Sequence, residues 1–478
     1  MASTLLSPGV EIQERDLTVG SIETVEVNVG AIAGAFQKGP VLKPVRIASE
    51  SQLIEIFGEP NDNNADEWWV AASFLQYGGV LDVVRCSTTG QLTASDDNVT
   101  SPYTLSIPTL EHYEANEYLT LNNPFKWAAR TPGVQGNAIK VAIIDKGADV
   151  TLTLDSALNT TVVGTQVSTA SGSPNGAKSG FIYAWDSTTN KVSLITSDTW
   201  IATDVIENGV TDAVVSAKSD WYDSQVAYGA VNWASIAPRP GTSPYVAERG
   251  GANDEMHIVV YDSTGVITGK PNTLLEKFTY VSKANDGKTA SGAVNYYPTV
   301  VLNKSQYVYW GSHENDAYDV SGNAAITSLA NFGGTSNAGN PSTTTFDLFS
   351  SDSANRSYTF VKGAETLVAT SGQIQTGLEE FRDTETVDID YLLMGGGDAG
   401  SKTNSQAIAA TVLSIASSRK DTVGFISPYY GDVVGVTSSA TQTQNVVDFY
   451  KNLQATSFGV FDSGWKYIYD RFADKYRY

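Results

Sequence analysis

The sequence predicts a multidomain α/β (α+β) chain, with a β–α–β and α/β sandwich core, an inserted β-rich domain and an extended N-terminal arm. Three observations carry that expectation. A punctuated strand–helix–strand run extends through Cys86, and regular α/β texture returns after residue 361. Between them, residues 148–222 form short alternating runs of Thr, Ser, Val, Asn and Gly.

Residues 1–22 hold the segment Leu5-Leu6-Ser7-Pro8-Gly9-Val10-Glu11-Ile12-Gln13-Glu14, in which apolar and acidic residues alternate after a Pro-Gly turn. A short extended terminal segment cannot bury a face alone. It needs a neighbouring sheet edge, in its own chain or in another. Ser7, Pro8, Gly9, Val10 and Ile12 are the residues expected to form this arm. Next, Val25 to Phe36 alternates and then becomes small and apolar, as a strand entering a core does. Glu50 to Phe57, closed by Gly58, and Asp66 to Tyr77, with acidic residues first and Gly78-Gly79 last, read as helices. Leu81 to Cys86 reads as the second strand of a β–α–β unit.

Residues 87–121 are polar and irregular, and pattern returns at Phe125 to Arg130 and at the strand Ile139 to Ile144. The 148–222 stretch is expected to be an inserted, surface-exposed β domain. Residues 315–345 read as a Ser-, Gly- and Asn-rich loop. Beyond them, Ile374, Leu378 and Phe381 form one helical stripe. Ile408, Val412 and Ile415 mark a second helix, expected to start near Ser405, and Val446 to Leu453 a third. Val423 to Ser427 reads as a strand. Ser457 to Tyr469 reads as a strand, a tight turn and a returning strand. The expected units are therefore 1–22 (arm), 23–147 with 223–360 (α/β domain), 148–222 (inserted β domain) and 361–478 (C-terminal α/β domain).

Composition removes several functions. With 52 Asp plus Glu against 30 Lys plus Arg, the formal charge is −22, and no basic run offers a footprint for phosphates. Nucleic acid is not an expected partner. The single cysteine, Cys86, lies in a strand-like run and reads as a buried structural thiol. No signal-peptide core and no apolar run of the ~18–20 residues needed for a membrane span is present. Cytoplasmic synthesis and folding are expected. His112, His257 and His313 are isolated in sequence, which weakens readings as a metal centre or a Ser–His or Cys–His enzyme.

Four constellations imitate chemistry. Gly395, Gly397 and Gly400 match G-x-G-x-x-G between a strand and a helix, the pattern of a dinucleotide site. The late helix start, Asp398 in the phosphate position, and Pro428 where an acidic ribose ligand would follow all favour a structural turn. Asp62, Asn64 and Asp66 resemble the opening of a calcium loop, but Glu67 and Ser73 occupy the positions that need Gly and Glu, so helix capping is expected. Asp388 and Asp390 share one strand face and read as its solvated or interface side. Trp200, Trp221 and Trp233 could serve as sugar-stacking platforms in an acidic adhesin, or simply fill cores. No catalytic residue, metal or cofactor is assigned.

The chain resembles the tail sheath proteins of contractile phages, in their T-even-like branch. The residues carrying the resemblance are Leu5 to Val10, Ala31 to Phe36 with Gly39-Pro40, Phe57-Gly58, and Phe74 to Gly78 with Val83-Val84-Arg85. Pro132-Gly133 with Gly136-Asn137, Val387-Asp388, Phe461-Asp462, Lys466-Tyr467 and Tyr469-Asp470-Arg471 continue it in order. The 148–222 stretch does not match well. The resemblance implies a structural protein that assembles with itself as stacked six-membered rings around a tail tube. It implies baseplate and terminator partners, a virion-tail location after assembly in the host cytoplasm, and contraction that drives the tube through the host envelope. It also implies terminal arms that add strands to neighbouring sheets, energy stored in conformation, and no nucleotide. The branch normally continues well past Tyr467 to Asp470 into a region supplying tube contacts and a second arm, and a chain lacking that region is expected not to polymerise alone. A phage-derived bacterial injection device is the near alternative. An adhesin, or an oxidoreductase built on Gly395 to Gly400, are the distant ones.

Overall fold

A strand of small residues, Val29–Gly34, forms the centre of the molecule. It pairs in parallel with Val80–Arg85 on one side and with Tyr391–Leu393 on the other. Val45–Ile47 adds antiparallel beyond Val80–Arg85, while Val423–Ile426 and Gly459–Phe461 continue in parallel beyond Tyr391–Leu393. The result is one six-stranded sheet. The computed structural model to which it belongs describes residues 28–97, 101–119, 123–158, 164–171, 175–207, 212–312 and 355–478. The opening β–α–β unit and the C-terminal α/β region are therefore two halves of one sheet, and the division expected at 361 does not separate them. Long-range pairing, which no local pattern announces, is the reason.

The two faces of the sheet are packed by different helices. On one face, Ala65–Gln76 buries Trp68, Ala72 and Leu75 against Ile32, Leu81 and Val83, with Leu53 and Phe57 of Glu50–Phe57 at its flank. On the other face, Ser371–Glu379 and Lys402–Arg419 bury Ile374, Leu378, Ile408 and Val412 against Ala31, Ala33, Val84 and Leu392. Each large side chain so buried contributes roughly 1.5–3 kcal/mol. The sequence encodes the ends of these helices as well. Ser49 accepts the Gln52 amide, Gly58 leaves the first helix at φ 86°, and Thr370 with Gln373 forms a reciprocal capping box. The long helix begins at Lys402, capped by Ser401, one turn earlier than its apolar stripe suggests.

Close approach explains two glycines on the strands. A Cβ at Gly424 would lie 2.9 Å from Val412 Cγ1, and one at Gly459 would lie 2.5 Å from Leu413 Cδ2, so Lys402–Arg419 sits directly on the backbone there. After Gly459–Phe461 the chain does not return along the sheet as its sequence suggests. Ile468–Asp470 pairs instead with Lys475–Arg477 in a separate hairpin.

A second sheet is antiparallel, in the order Thr273–Ser282, Glu255–Asp262, Ile139–Ile144, Asn355–Thr359. Its core gathers Trp127, Ile143, Ile258, Val260, Tyr297 and Trp310. Arg85, at the end of its strand in the first sheet, is buried; it donates to the carbonyls of Phe36, Gly39 and Pro132 and pairs with Glu365. Six strands between Val150 and Asp220 form a closed barrel around Leu152, Ile182, Leu194, Trp200 and Val215. Within it, Asp204 accepts the Ile201 amide and pairs with Lys178 Nζ at 2.6 Å.

Replacing Gly459→Val tests the helix–sheet contact. Valine has the higher strand propensity, so any loss reports overpacking against Leu413, expected at roughly 1–3 kcal/mol. Thermal unfolding of this variant should start at lower temperature than wild type, whereas Gly464→Ala, which meets nothing within 4 Å, should be neutral. Equal curves for all three proteins would refute the contact.

Candidate assembly surface

The structure disperses the residues that imitate chemistry. Ser7, Pro8, Gly9, Val10 and Ile12 lie outside the described residues. In the glycine run, Gly395 and Gly397 take positive φ in the turn after Tyr391–Leu393. The Asp398 carboxylate accepts the Gly400 amide at 2.9 Å and Asn404 Nδ2 at 2.7 Å. Asp398 thus places its own negative charge beside the N-terminus of Lys402–Arg419, where a phosphate would have to lie. His257 is fully buried between the Pro238 carbonyl and the Tyr280 amide, His112 sits on Leu110–Ala115, and His313 is outside the described residues.

The calcium-like cluster is also taken apart. Asp62 pairs with Lys475 and Arg477, and Asn64 accepts the Asn61 amide instead of capping the helix as expected. Among the described residues no group of three or more His, Cys, Asp or Glu is placed to hold a metal ion. Asp390 accepts the Val29 amide at 2.8 Å, while the Asp388 carbonyl accepts from Arg46. Cys86 is buried, and burial pushes its thiol well up. Trp200, Trp221 and Trp233 are all buried, which removes them as sugar platforms.

What stands open is one half of the first sheet. Register puts Leu393, Phe425 and Val460 side by side on the face that Ala65–Gln76 covers farther along, with Tyr391 beside them. Phe425 is 39% and Val460 44% exposed. An aromatic row links this surface to the helix, since the Phe74–Tyr391 ring centroids are 6.2 Å apart and those of Tyr391 and Phe425 5.6 Å. The cause is topological. Right-handed crossovers that step one way along a parallel sheet put their helices on one face, and those stepping the other way put them on the opposite face. The connections from Tyr391–Leu393 to Val423–Ile426 and on to Gly459–Phe461 therefore place Lys402–Arg419 and Ser439–Tyr450 behind the sheet. Parallel strands are normally covered on both faces.

Tyr391, Leu393 and Phe425 of the open half-face form the floor of an apolar groove of about 480 Å³. Helix residues Trp69, Phe74 and Tyr77 wall one side, and Trp465, Ile468 and Tyr478 the other. Trp465 Nε1 donates to the Pro428 carbonyl at 2.9 Å, and Phe472 packs edge-on against Trp68. Lys475 and Arg477 pair with Asp62, and Arg471 with Glu50, so the terminal hairpin is pinned to the first two helices. Asp66 and Asp462 line the groove, and burial raises both carboxyls above their ordinary range. Beneath it, Glu67 lies against Gly34 and Gly395, and burial first, then Asp66, pushes its carboxyl up to about 7. No local pattern announces the open half-face. Its one signal in the sequence is a pair of successive parallel crossovers, whose helices fall on the same face.

A fold with an open apolar sheet face, and with its nucleotide-like motif filled by its own aspartate, is suited to association. Comparison with known proteins points the same way. No protein-family model matches the chain. It is 23% identical to the tail sheath protein of Salmonella phage ViI, an alignment covering 99% of this chain and 68% of that protein. It is 39% identical to the tail sheath protein of Enterobacteria phage T4 over 82 residues, 17% of this chain and 12% of that one. A sheath tail protein from Listeria innocua has 10% identity and a TM-score of 0.35; the match spans 90% of this chain and 57% of that structure. The chain is thus similar to one phage tail sheath protein over nearly its whole length and to another over a short stretch, and these relatives support a structural role in a phage tail sheath.

Glu67 offers a pH test of the packing beneath the groove. Its folded state favours the protonated form, so its contribution is fully present below the unfolded value near 4.5 and is lost as pH rises to about 7. That loss is on the order of 3 kcal/mol. Glu67→Gln should therefore unfold at nearly the wild-type temperature at pH 5 and at a higher temperature than wild type at pH 8. The same offset at both pH values would show that Glu67 does not titrate in this window.

Proposed function

We propose that the protein is the subunit of a contractile phage tail sheath. In this reading it polymerises as stacked hexameric rings around the tail tube and shortens to drive the tube through the host envelope. The observation that carries the reading is the likeness to the Salmonella phage ViI tail sheath protein along 99% of the chain. Residues 1–22 act as an arm, with Ser7 to Ile12 adding a strand to a sheet edge in a neighbouring subunit. Pairing of that kind survives large rigid-body movement, because the connecting chain flexes while the ladder stays intact. The tail tube, the baseplate and the terminator are the other partners. Energy comes from conformation, so the subunit performs no catalysis. Assembly takes place in the host cytoplasm and the product is a virion component.

Immunogold electron microscopy of source particles, with antibody raised against residues 1–478, tests the reading. Gold is expected along the whole outside of a long tail and along a shorter, thicker cylinder in triggered particles. Gold confined to tips, fibres or capsid would overturn it.

A further inference from the structure

We infer that a cavity at the carboxyl end of the first sheet takes an alkylammonium group, a primary amine on a short aliphatic chain, and pairs it with Glu67. The site stands independently of the sheath reading. Its cavity has a volume of about 440 Å³ and shares no lining residue with the apolar groove.

The place of the cavity follows from topology. The chain leaving Val29–Gly34 returns in parallel as Val80–Arg85 on one side, and the chain leaving Tyr391–Leu393 returns as Val423–Ile426 on the other. Between two parallel strands whose connections diverge, a crevice opens outside their carboxyl ends. Ligand sites of open α/β sheets lie in such crevices. Ala35, just past the first of these strands, and Gly397 to Gly400, past the second, line the cavity.

Glu67 gives this crevice an unmet charge. It belongs to the first turn of Ala65–Gln76, is 9% exposed and lines the cavity. Its stem is pressed between two backbones. A Cβ at Gly34 would lie 2.8 Å from Glu67 Cβ and Cγ, and one at Gly395 3.2 Å from Cγ. The end of the side chain is therefore what the cavity meets. Among the described residues no other side chain donates to this carboxyl and no cation pairs with it; its own main-chain amide is the donor it has. A buried carboxylate without a cation is costly. Burial first, and then Asp66, accordingly hold this carboxyl up at about 7.

The surroundings decide the class of ligand. Among the described residues no Lys, Arg or His lines the cavity, and Asp398 adds a second carboxylate. The helix N-termini there are already capped, since Thr370 accepts the Gln373 amide and Ser401 the Asn404 amide. An anion is thus disfavoured. A metal ion lacks its ligand set, because among the described residues no third carboxylate, imidazole or thiolate joins these two. Ala35, Val368, Ile374 and Ala399 supply an apolar wall for an aliphatic chain whose charged end meets Glu67. A free small amine and a lysine side chain of a neighbouring subunit share this chemistry.

Calorimetric titration of the full chain at pH 8, where Glu67 is ionised, tests the site. The probes are n-pentylamine, n-pentanol and the peptide acetyl-Gly-Lys-Gly-amide. An amine is expected to bind and pentanol to give no signal. Glu67→Gln should weaken amine binding at least about tenfold, the scale of a lost hydrogen bond to a charged group, with circular dichroism confirming the fold. Tighter binding of the peptide than of pentylamine identifies a partner's lysine as the natural ligand, and the reverse order a free amine; either supports the site. Amine binding unchanged in Glu67→Gln, pentanol binding as tightly as pentylamine, or no binding of either amine would overturn it. None of these results bears on the gold-labelling test of the sheath role.

Discussion

The fold depends on the pairing of Val29–Gly34 with Tyr391–Leu393, which closes the chain over 361 residues and is sealed by the Asp390 carboxylate on the Val29 amide. Closing so large a loop is less costly than its length suggests. Relative to the pairing of Val29 with Val80, the added entropy is about 2 kcal/mol. The kinetic burden is heavier, because such distant strands meet late. Once made, this single ladder puts two crossover systems on one sheet. It also brings Ser371–Glu379 over Ala33 and Cys86, and with it Lys402–Arg419 onto the same face of the sheet.

Local physics was readable in the sequence, and distant pairing was not. Glu50–Phe57 ends where Gly58 closes it, and Ala65–Gln76 falls where its acidic first turn and the following Gly78-Gly79 put it, though Asn64 does not cap it. The stripe through Ile408, Val412 and Ile415 lies on Lys402–Arg419 and faces the core. The limits show at Trp465 to Tyr469. Their pattern resembles a returning strand, but Trp465 is drawn to the Pro428 carbonyl and Ile468–Asp470 finds Lys475–Arg477, which sequence alternation cannot specify. The groove was invisible for a related reason. Phe425 and Val460 look like any strand residues until register and crossover hand place them on the open half-face.

The glycine run shows how one local pattern serves two ends. Gly395 and Gly397 supply the positive φ that any tight strand-to-helix turn requires. A dinucleotide protein would leave the helix N-terminus free for a phosphate. Here Ser401 accepts the Asn404 amide of that N-terminus, and Asp398, bonded to the Gly400 amide and to Asn404 Nδ2, braces the turn from within the chain. The same carboxylate that ends the resemblance to a cofactor site makes the turn self-sufficient.

The central position of Val29–Gly34 has a mechanical consequence. It is flanked on both sides by parallel strands, six registered pairs with Val80–Arg85 and three with Tyr391–Leu393. Any pull delivered through residue 28 along the strand axis loads both ladders in shear, so their hydrogen bonds share the force and must fail together. A strand at the margin, such as Gly459–Phe461, would carry the same load on one ladder alone. The chain thus ties its N-terminal lead to the part of the sheet that yields last under tension.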